Sequence, residues 1–222
     1  GLTKNSPKIS EAQMEKIVAL DWKQLFHSPG MPKFTPDFSN PLSAAAHKLG
    51  QKWISTGGSG CTMADIKGWS VQQILLFLDS LLNHATTWGP LNDTALRAVD
   101  KAYSFTTSTN SEIKFKWQTL CIKSEAEWII PYVLKFMTSA GRMKFARPLY
   151  RSLGSSKMGA TLARETFLKH QSMYHPIARK MIKSDLSKIA GSDIGATQEV
   201  SKSIMVSAAV AASFFVTGLL TA

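Results

Sequence analysis

Apolar residues recur at every third or fourth position through most of this chain, a spacing that is typical of amphipathic helices. The clearest case follows Trp69-Ser70, where a broad apolar face is formed by Val71, Ile74, Leu75, Leu78, Leu81 and Leu82. The same spacing predicts further helices at about residues 10–26, 41–54, 92–103, 109–121, 124–140, 148–153, 159–170 and 175–189. Because no stretch alternates strictly between apolar and polar residues, we predict no strand. The pattern therefore predicts an all-α protein of antiparallel helix pairs joined by short loops.

Local signals mark several helix ends. Capping boxes, in which a Ser or Thr is followed three residues later by Glu or Gln, predict helix starts at Ser10, Thr109 and Ser124. Pro131 lies inside one predicted helix and should bend it, because proline removes a backbone hydrogen bond. Four prolines from Pro29 to Pro41 keep the chain extended. We therefore expect a linker there, and a domain boundary near residue 38.

A connection rich in cations lies between two of the predicted helices. Gly141 should end the first helix, and Pro148 should lie in the first turn of the next, which we expect to begin between Phe145 and Pro148. In an extended connection, Arg142 and Lys144 point to the same side. Free N–H groups of the following helix add positive potential there. The pattern indicates a small carboxylate or phosphate site, and the alternative interpretation is a solvated basic loop.

Three further cations near this connection are less specific. Arg147 either supports the anion site or pairs with a carboxylate that holds the loop. Lys114 and Lys116 flank Phe115 and stand about 200° apart on a helix, so they cannot share one ligand. We expect one of these two lysines to be solvated and the other to form a salt bridge.

Composition narrows the classes of partner. The chain has 222 residues, of which 44% are hydrophobic, and a formal net charge of +11. Its cations are scattered, and no zinc-finger spacing, phosphate-binding loop or aromatic RNA-binding signature accompanies them, so we expect no nucleic-acid partner. Two cysteines and the lack of an apolar leader favour a reducing, cytoplasmic location. The missing initiator Met indicates a fragment of a longer protein.

Catalytic and metal-binding patterns are missing from the sequence. A zinc peptidase helix needs two His one turn apart with a Glu beside the first, and none of the five His fits that spacing: His27, His47, His84, His170 and His175. Cys61 and Cys121 have the surroundings of inert thiols. We therefore predict no catalytic residue, no metal ligand and no cofactor on this chain.

Three stretches form a recognisable set: Asp21-Trp22 through Ser28-Pro29-Gly30-Met31-Pro32, Asn110 to Ile122, and Gly141-Arg142-Met143-Lys144-Phe145-Ala146-Arg147-Pro148-Leu149-Tyr150. The second and third stretches resemble the C-terminal helical domain of the M1 family of zinc aminopeptidases, in its leukotriene A4 hydrolase branch rather than its aminopeptidase B branch. The first stretch resembles the segment by which those enzymes pass from the catalytic domain to the C-terminal domain. The resemblance runs from about residue 10 to about residue 186, and the third stretch is its most specific part.

The resemblance implies an armadillo-like, two-layered helical superhelix, an α-solenoid, over residues 39–190. Residues 1–38 would be the end of the catalytic domain and a Pro-rich linker. Arg142 and Lys144 would hold the carboxylate of a peptide or fatty-acid substrate. An M1 catalytic domain in the same polypeptide would carry the zinc and the catalytic residues, and this domain would close one side of its cleft. The alternative, since the chain has no catalytic residue of its own, is a non-catalytic helical scaffold for protein–protein contacts.

The resemblance does not extend through the tail, residues 191–222. Residues 204–222 contain no charge, and as a helix they would extend about 28 Å, close to the roughly 30 Å of a bilayer core. Their length and lack of charge favour a weak C-terminal membrane anchor. The alternatives are an apolar helix packed on the end of the domain or an artefact of gene prediction.

Overall fold

The structure, a computed structural model, describes residues 9–30 and 40–191. The chain divides into two compact units, residues 1–39 and residues 40–222. In the described parts of both units every regular element is a helix, which confirms the predicted all-α class.

The first unit contains two short helices, α1 (Glu11–Val18) and α2 (Trp22–His27). Ser10 caps α1 through the predicted capping box. The single helix predicted over 10–26 is wrong, however, because the chain breaks between the two. Asp21 accepts a hydrogen bond from the N–H of Gln24 and so starts a new helix. A short acidic side chain that competes for backbone N–H groups favours such a cap over a helix interior.

The second unit contains eight α-helices within residues 40–191: α3 (Pro41–Thr56), α4 (Val71–Thr87), α5 (Asp93–Tyr103), α6 (Ser111–Lys123), α7 (Ile130–Ser139), α8 (Met143–Gly154), α9 (Ala160–His170) and α10 (Pro176–Ala190). Short 3-10 turns lie at Met63–Ile66, Phe105–Thr107, Glu127–Ile129 and Gln171–Met173. The starts of α4, α5, α9 and α10 confirm the predictions from the local pattern to within a residue or two.

Helices of this unit pack both on their immediate neighbours in the chain and on the next helix but one. Helix α4 packs on α3 and α6, α6 packs on α8, and α8 packs on α10, while α7 and α9 also contact α8. Helix α8 therefore lies at the centre of the second half of the unit. The more detailed description as an armadillo-like superhelix stays a prediction.

Aromatic side chains connect the helices through one continuous core. Trp53 of α3 lies edge-on to Tyr103 of α5 and donates its indole N–H to the Tyr103 hydroxyl at 3.0 Å. Phe105 packs on both Tyr103 and Trp117, and Trp117 donates to the hydroxyl of Thr106 at 2.9 Å. Each buried ring nitrogen thus has a hydrogen-bond partner, as burial of a polar group requires.

Two of the predicted capping boxes are wrong. Helix α6 is capped by Asn110, whose side chain accepts from the N–H groups of Glu112 and Ile113, rather than by Thr109. Ser124 ends α6 instead of starting α7, and its hydroxyl accepts a hydrogen bond from the Leu91 N–H. A backbone N–H 33 positions away in sequence thus uses the hydroxyl that the local pattern assigned to the cap of the next helix.

The two prolines also differ from their predicted positions. Pro131 lies in the first turn of α7, where a missing N–H costs nothing and no bend is needed. Pro148, expected in a first turn, lies inside α8, because α8 begins earlier than predicted, at Met143. The buried positions of α8 explain the early start, since they continue the helical spacing through its first turns: Phe145, Ala146, Leu149, Tyr150 and Leu153. Their burial outweighs the roughly 3 kcal/mol that proline costs in a helix interior.

No helix within residues 9–30 and 40–191 is long and apolar enough to cross a bilayer. The apolar segment at 204–222 and most of the predicted linker, residues 31–39, lie outside the described residues.

Candidate functional site

The candidate anion site lies at the start of α8. Arg142 is the N-cap residue, and its carbonyl oxygen accepts hydrogen bonds from the N–H groups of Phe145 and Ala146 at 3.0 and 3.1 Å. No side chain caps this helix end, and its first turn contains no acidic residue. The partial positive charge of the helix N-terminus is therefore not offset from within α8.

Arg142 and Lys144 are both exposed and meet around a single ring. The guanidinium carbon of Arg142 and the Nζ of Lys144 each lie 5.5 Å from the centroid of Phe145, which is itself buried. The extended connection expected from the sequence is wrong, because Lys144 is already in the first turn of α8. The structure nevertheless places the two cations around the same aromatic side chain.

Lys144 forms an ion pair with Glu112, which lies in the first turn of α6. The two side chains are 51% and 34% exposed, so water screens this pair and its net contribution to stability is small. In the described part of the chain, no carboxylate pairs with Arg142. The site thus combines one partly neutralised cation with one cation that is open to an anion.

Arg147 is directed away from these two cations and joins α8 to α10. Its Nε donates to Asp185 at 2.6 Å and its Nη2 donates to the other carboxylate oxygen at 3.2 Å. These hydrogen bonds hold the pKa of Asp185 below its ordinary value and raise the pKa of Arg147. Of the two roles that the sequence allowed for Arg147, the structure shows the pairing with a carboxylate.

Lys114 and Lys116 contact different parts of the protein, as the helical spacing predicts. Lys116 forms a salt bridge with Asp79 of α4 at 2.6 Å. Lys114 is half-buried rather than solvated, and its Nζ lies 5.5 Å from the ring centroid of Phe136.

Sequence reasoning missed the side chains that join α7 to α8 next to the site. The hydroxyl of Tyr174 donates to the carbonyl oxygen of Met137 at 2.8 Å, and lies 3.0 Å from the hydroxyl of Tyr150. Because the Tyr174 hydroxyl donates its hydrogen to the Met137 carbonyl, Tyr150 is the donor in the hydrogen bond between the two tyrosines. Burial raises the pKa of both tyrosines, so both stay protonated. Nothing local marks Tyr174, whose partners lie 24 and 37 positions away in sequence.

Tyr174 acts as a cap for α7. Met137 is one of the last residues of that helix, where carbonyl groups run out of intrahelical partners. Tyr150 belongs to α8, so the tyrosine pair ties the end of α7 to α8. The loop of residues 140–142, which leads into the candidate site, connects the same two helices.

The described residues do not fit a metal ion. Within residues 9–30 and 40–191, no three His, Cys, Asp or Glu side chains are grouped to bind one.

Comparisons with known proteins agree with the resemblance. The family model described as "Leukotriene A4 hydrolase, C-terminal" matches residues 69–186. A leukotriene A-4 hydrolase from Xenopus laevis is 36% identical over 170 residues, which cover 75% of this chain and 27% of that protein. Leucine aminopeptidase 2 from Neurospora crassa is 33% identical over 182 residues, covering 82% of this chain and 26% of that protein.

Solved structures show the same relationship. Yeast leukotriene A4 hydrolase in complex with bestatin aligns with a TM-score of 0.69 at 28% identity, covering 79% of this chain and 30% of that one. The chain thus spans between a quarter and a third of the length of the relatives it matches. The family match and these identities show that the chain belongs to the leukotriene A4 hydrolase C-terminal domain family.

Proposed function

We propose that this chain is the C-terminal domain of a zinc aminopeptidase similar to leukotriene A4 hydrolase. In this proposal it closes one side of the active-site cleft and anchors the substrate carboxylate through Arg142 and Lys144. The observation that carries the proposal is the placement of these two cations around Phe145, at an uncapped helix N-terminus.

The chemistry of this helix end suits a carboxylate. A guanidinium donates two parallel hydrogen bonds to a carboxylate, and the helix N-terminus adds positive potential at the same place. Lys144 already binds a carboxylate, that of Glu112, but the exposed pair is weak enough for a substrate carboxylate to replace it.

The rest of the enzyme would lie in the same polypeptide. The relatives are named as hydrolases and aminopeptidases, and they are about four times longer than the matched part of this chain. We propose that an M1 catalytic domain in cis carries the zinc and that the whole enzyme is cytoplasmic. Residues 1–38 would be the end of that domain and its linker, residues 39–190 the helical domain, and residues 191–222 a tail.

Anchoring the carboxylate at a distance from the metal would set which substrates reach the reacting centre. A peptide held by its C-terminal carboxylate presents its first peptide bond correctly only when its length matches the cleft. The same anchor would orient a fatty-acid substrate by its carboxylate.

The test uses the full-length enzyme and matched pairs of substrates, one peptide with a free C-terminal carboxylate and the same peptide amidated. Arg142→Ala should lower kcat/KM for the acid by roughly 10- to 100-fold, because a charge-assisted hydrogen bond contributes ~1.5–3 kcal/mol. The kcat/KM of the amidated peptide should change little. Lys144→Ala should show the same selectivity, and Glu112→Gln should leave the acid's kcat/KM unchanged or raise it, because it frees Lys144.

Arg151→Ala is the matched control. It removes the same charged group from an exposed position in the last turn of the same helix. It should change kcat/KM for neither the acid nor the amide. If Arg142→Ala lowers acid and amide equally, or if Arg151→Ala has the same effect as Arg142→Ala, the carboxylate anchor is wrong.

A further inference from the structure

Lys114 is a half-buried cation that the proposed anchor does not use. Its Nζ lies 5.5 Å from the ring centroid of Phe136, and in the described part of the chain no carboxylate pairs with it. Lys116, two positions away on the same helix, does have a carboxylate partner in Asp79. A half-buried ammonium without a carboxylate is costly unless another group compensates for its lost water.

The ring beneath Lys114 belongs to the same aromatic cluster as the ring beneath the anchor. The centroid of Phe136 lies 5.8 Å from that of Phe145, and Phe115 packs on Phe145 at 5.5 Å. Arg142 and Lys144 contact Phe145, and Lys114 contacts Phe136. Three cations therefore surround one patch of three phenylalanines, contributed by α6, α7 and α8.

The charges around this patch do not balance. Within residues 9–30 and 40–191, Glu112 is the one carboxylate that pairs with any of these three cations, and its partner is Lys144. A substrate bound through a single carboxylate would offset one further charge and leave the patch positive. The patch can therefore accept a ligand that brings two carboxylates.

We propose that Lys114 extends the anchor into a site for peptide acids whose last residue carries a second carboxylate, that is, peptides ending in Glu or Asp. The inference rests on the proposed function, since Arg142 and Lys144 hold the terminal carboxylate. Lys114 then binds the carboxylate of the side chain. Phe136 offers the Lys114 Nζ a cation–π contact rather than a hydrogen bond, so the N–H donors of Lys114 can still bind a carboxylate.

The experiment compares two tripeptides in the full-length enzyme, identical except that one ends in Glu and the other in Gln, both with a free terminal carboxylate. The measured quantity is the ratio of their kcat/KM values. In the unmodified enzyme the Glu peptide should be preferred. Lys114→Met, which keeps an unbranched side chain of similar length but removes the charge, should lower the ratio by about 10-fold, the scale of one charge-assisted hydrogen bond.

Two further variants make the result specific. Lys114→Arg retains the charge and should keep the preference for Glu. Lys123→Met removes an exposed lysine from the last turn of the same helix and should leave the ratio unchanged. If Lys114→Met does not fold, Lys114→Gln replaces it, with the same expected loss of preference.

Failure of this inference is distinguishable from failure of the proposed function. A ratio that Lys114→Met leaves unchanged, or an unmodified enzyme that does not prefer Glu, overturns the role of Lys114 even when Arg142→Ala still discriminates acids from amides. If Arg142→Ala acts equally on the Gln peptide and its amide, the anchor itself is wrong, and the inference fails with it.

Discussion

Removing the hydroxyl of Tyr174 should destabilise the protein more than removing the hydroxyl of Tyr150. In Tyr174→Phe two hydrogen bonds are lost, one to the carbonyl of Met137 and one from Tyr150. Tyr174 and Tyr150 are 3% and 0% exposed, so water cannot replace either bond. At ~1 kcal/mol for each bond, with a further cost for the stranded Tyr150 hydroxyl, the free energy of unfolding should fall by about 2–3 kcal/mol.

Tyr150→Phe should cost only about 1 kcal/mol, because Tyr174 keeps its bond to Met137. The double variant should be no less stable than Tyr174→Phe alone, since Tyr150 then has no hydroxyl to strand. The two substitutions should therefore be non-additive by about 1 kcal/mol, which a double-mutant cycle measures directly.

Urea unfolding of each variant, followed by both circular dichroism and tryptophan fluorescence, gives these free energies if the two transitions coincide. Tyr132→Phe is the control, because Tyr132 is 46% exposed and its loss of a hydroxyl should change stability by less than about 0.5 kcal/mol. Additive effects of the two buried substitutions, or a Tyr174→Phe variant as stable as Tyr132→Phe, would contradict the proposed cap on α7.

Two further predictions concern packing and pH. Asp185→Asn should destabilise the protein at neutral pH, because Arg147 lowers the pKa of Asp185 in the folded state. The gap in the free energy of unfolding between this variant and the unmodified protein should persist above the ordinary pKa of 3.8 and close as the pH falls below it. Urea unfolding across this pH range measures the gap, and a gap that does not change with pH would contradict the pairing of Asp185 with Arg147. Gly50→Ala should be destabilising by ~1–3 kcal/mol, because the added Cβ would lie 2.6 Å from the Cβ of Ser80. In Gly141→Ala the added Cβ would meet nothing within 4 Å, so this variant should be close to neutral; thermal melts of the two variants measure the difference. A Gly50→Ala variant that melts no lower than Gly141→Ala would refute the close approach of α3 and α4.

The sequence by itself determined the helical class, the positions of most helices and the family. Helix periodicity and caps such as Ser70 and Asn92 depend on residues three or four positions apart, and such signals can be interpreted without knowing the fold. The stretch from Gly141 to Tyr150 likewise identified Arg142 and Lys144 as candidates, because two cations beside a helix start already form an anion-binding pattern.

Only the tertiary structure decided where local signals compete. Asn110 and Thr109 are both acceptable caps, and the structure shows Asn110 in that role. Pro148 should have delayed α8, but burial of that helix's apolar face outweighs the cost of one proline.

Long-range pairing was also beyond the sequence. Glu112 meets Lys144 across 32 positions, Arg147 meets Asp185 across 38, and Tyr174 meets Met137 across 37. The partner of a charge or a hydroxyl depends on which helix faces display them, and these faces come together only when the helices pack. For that reason the sequence predicted the cations of the site, whereas the structure decided which of them remain open to a ligand.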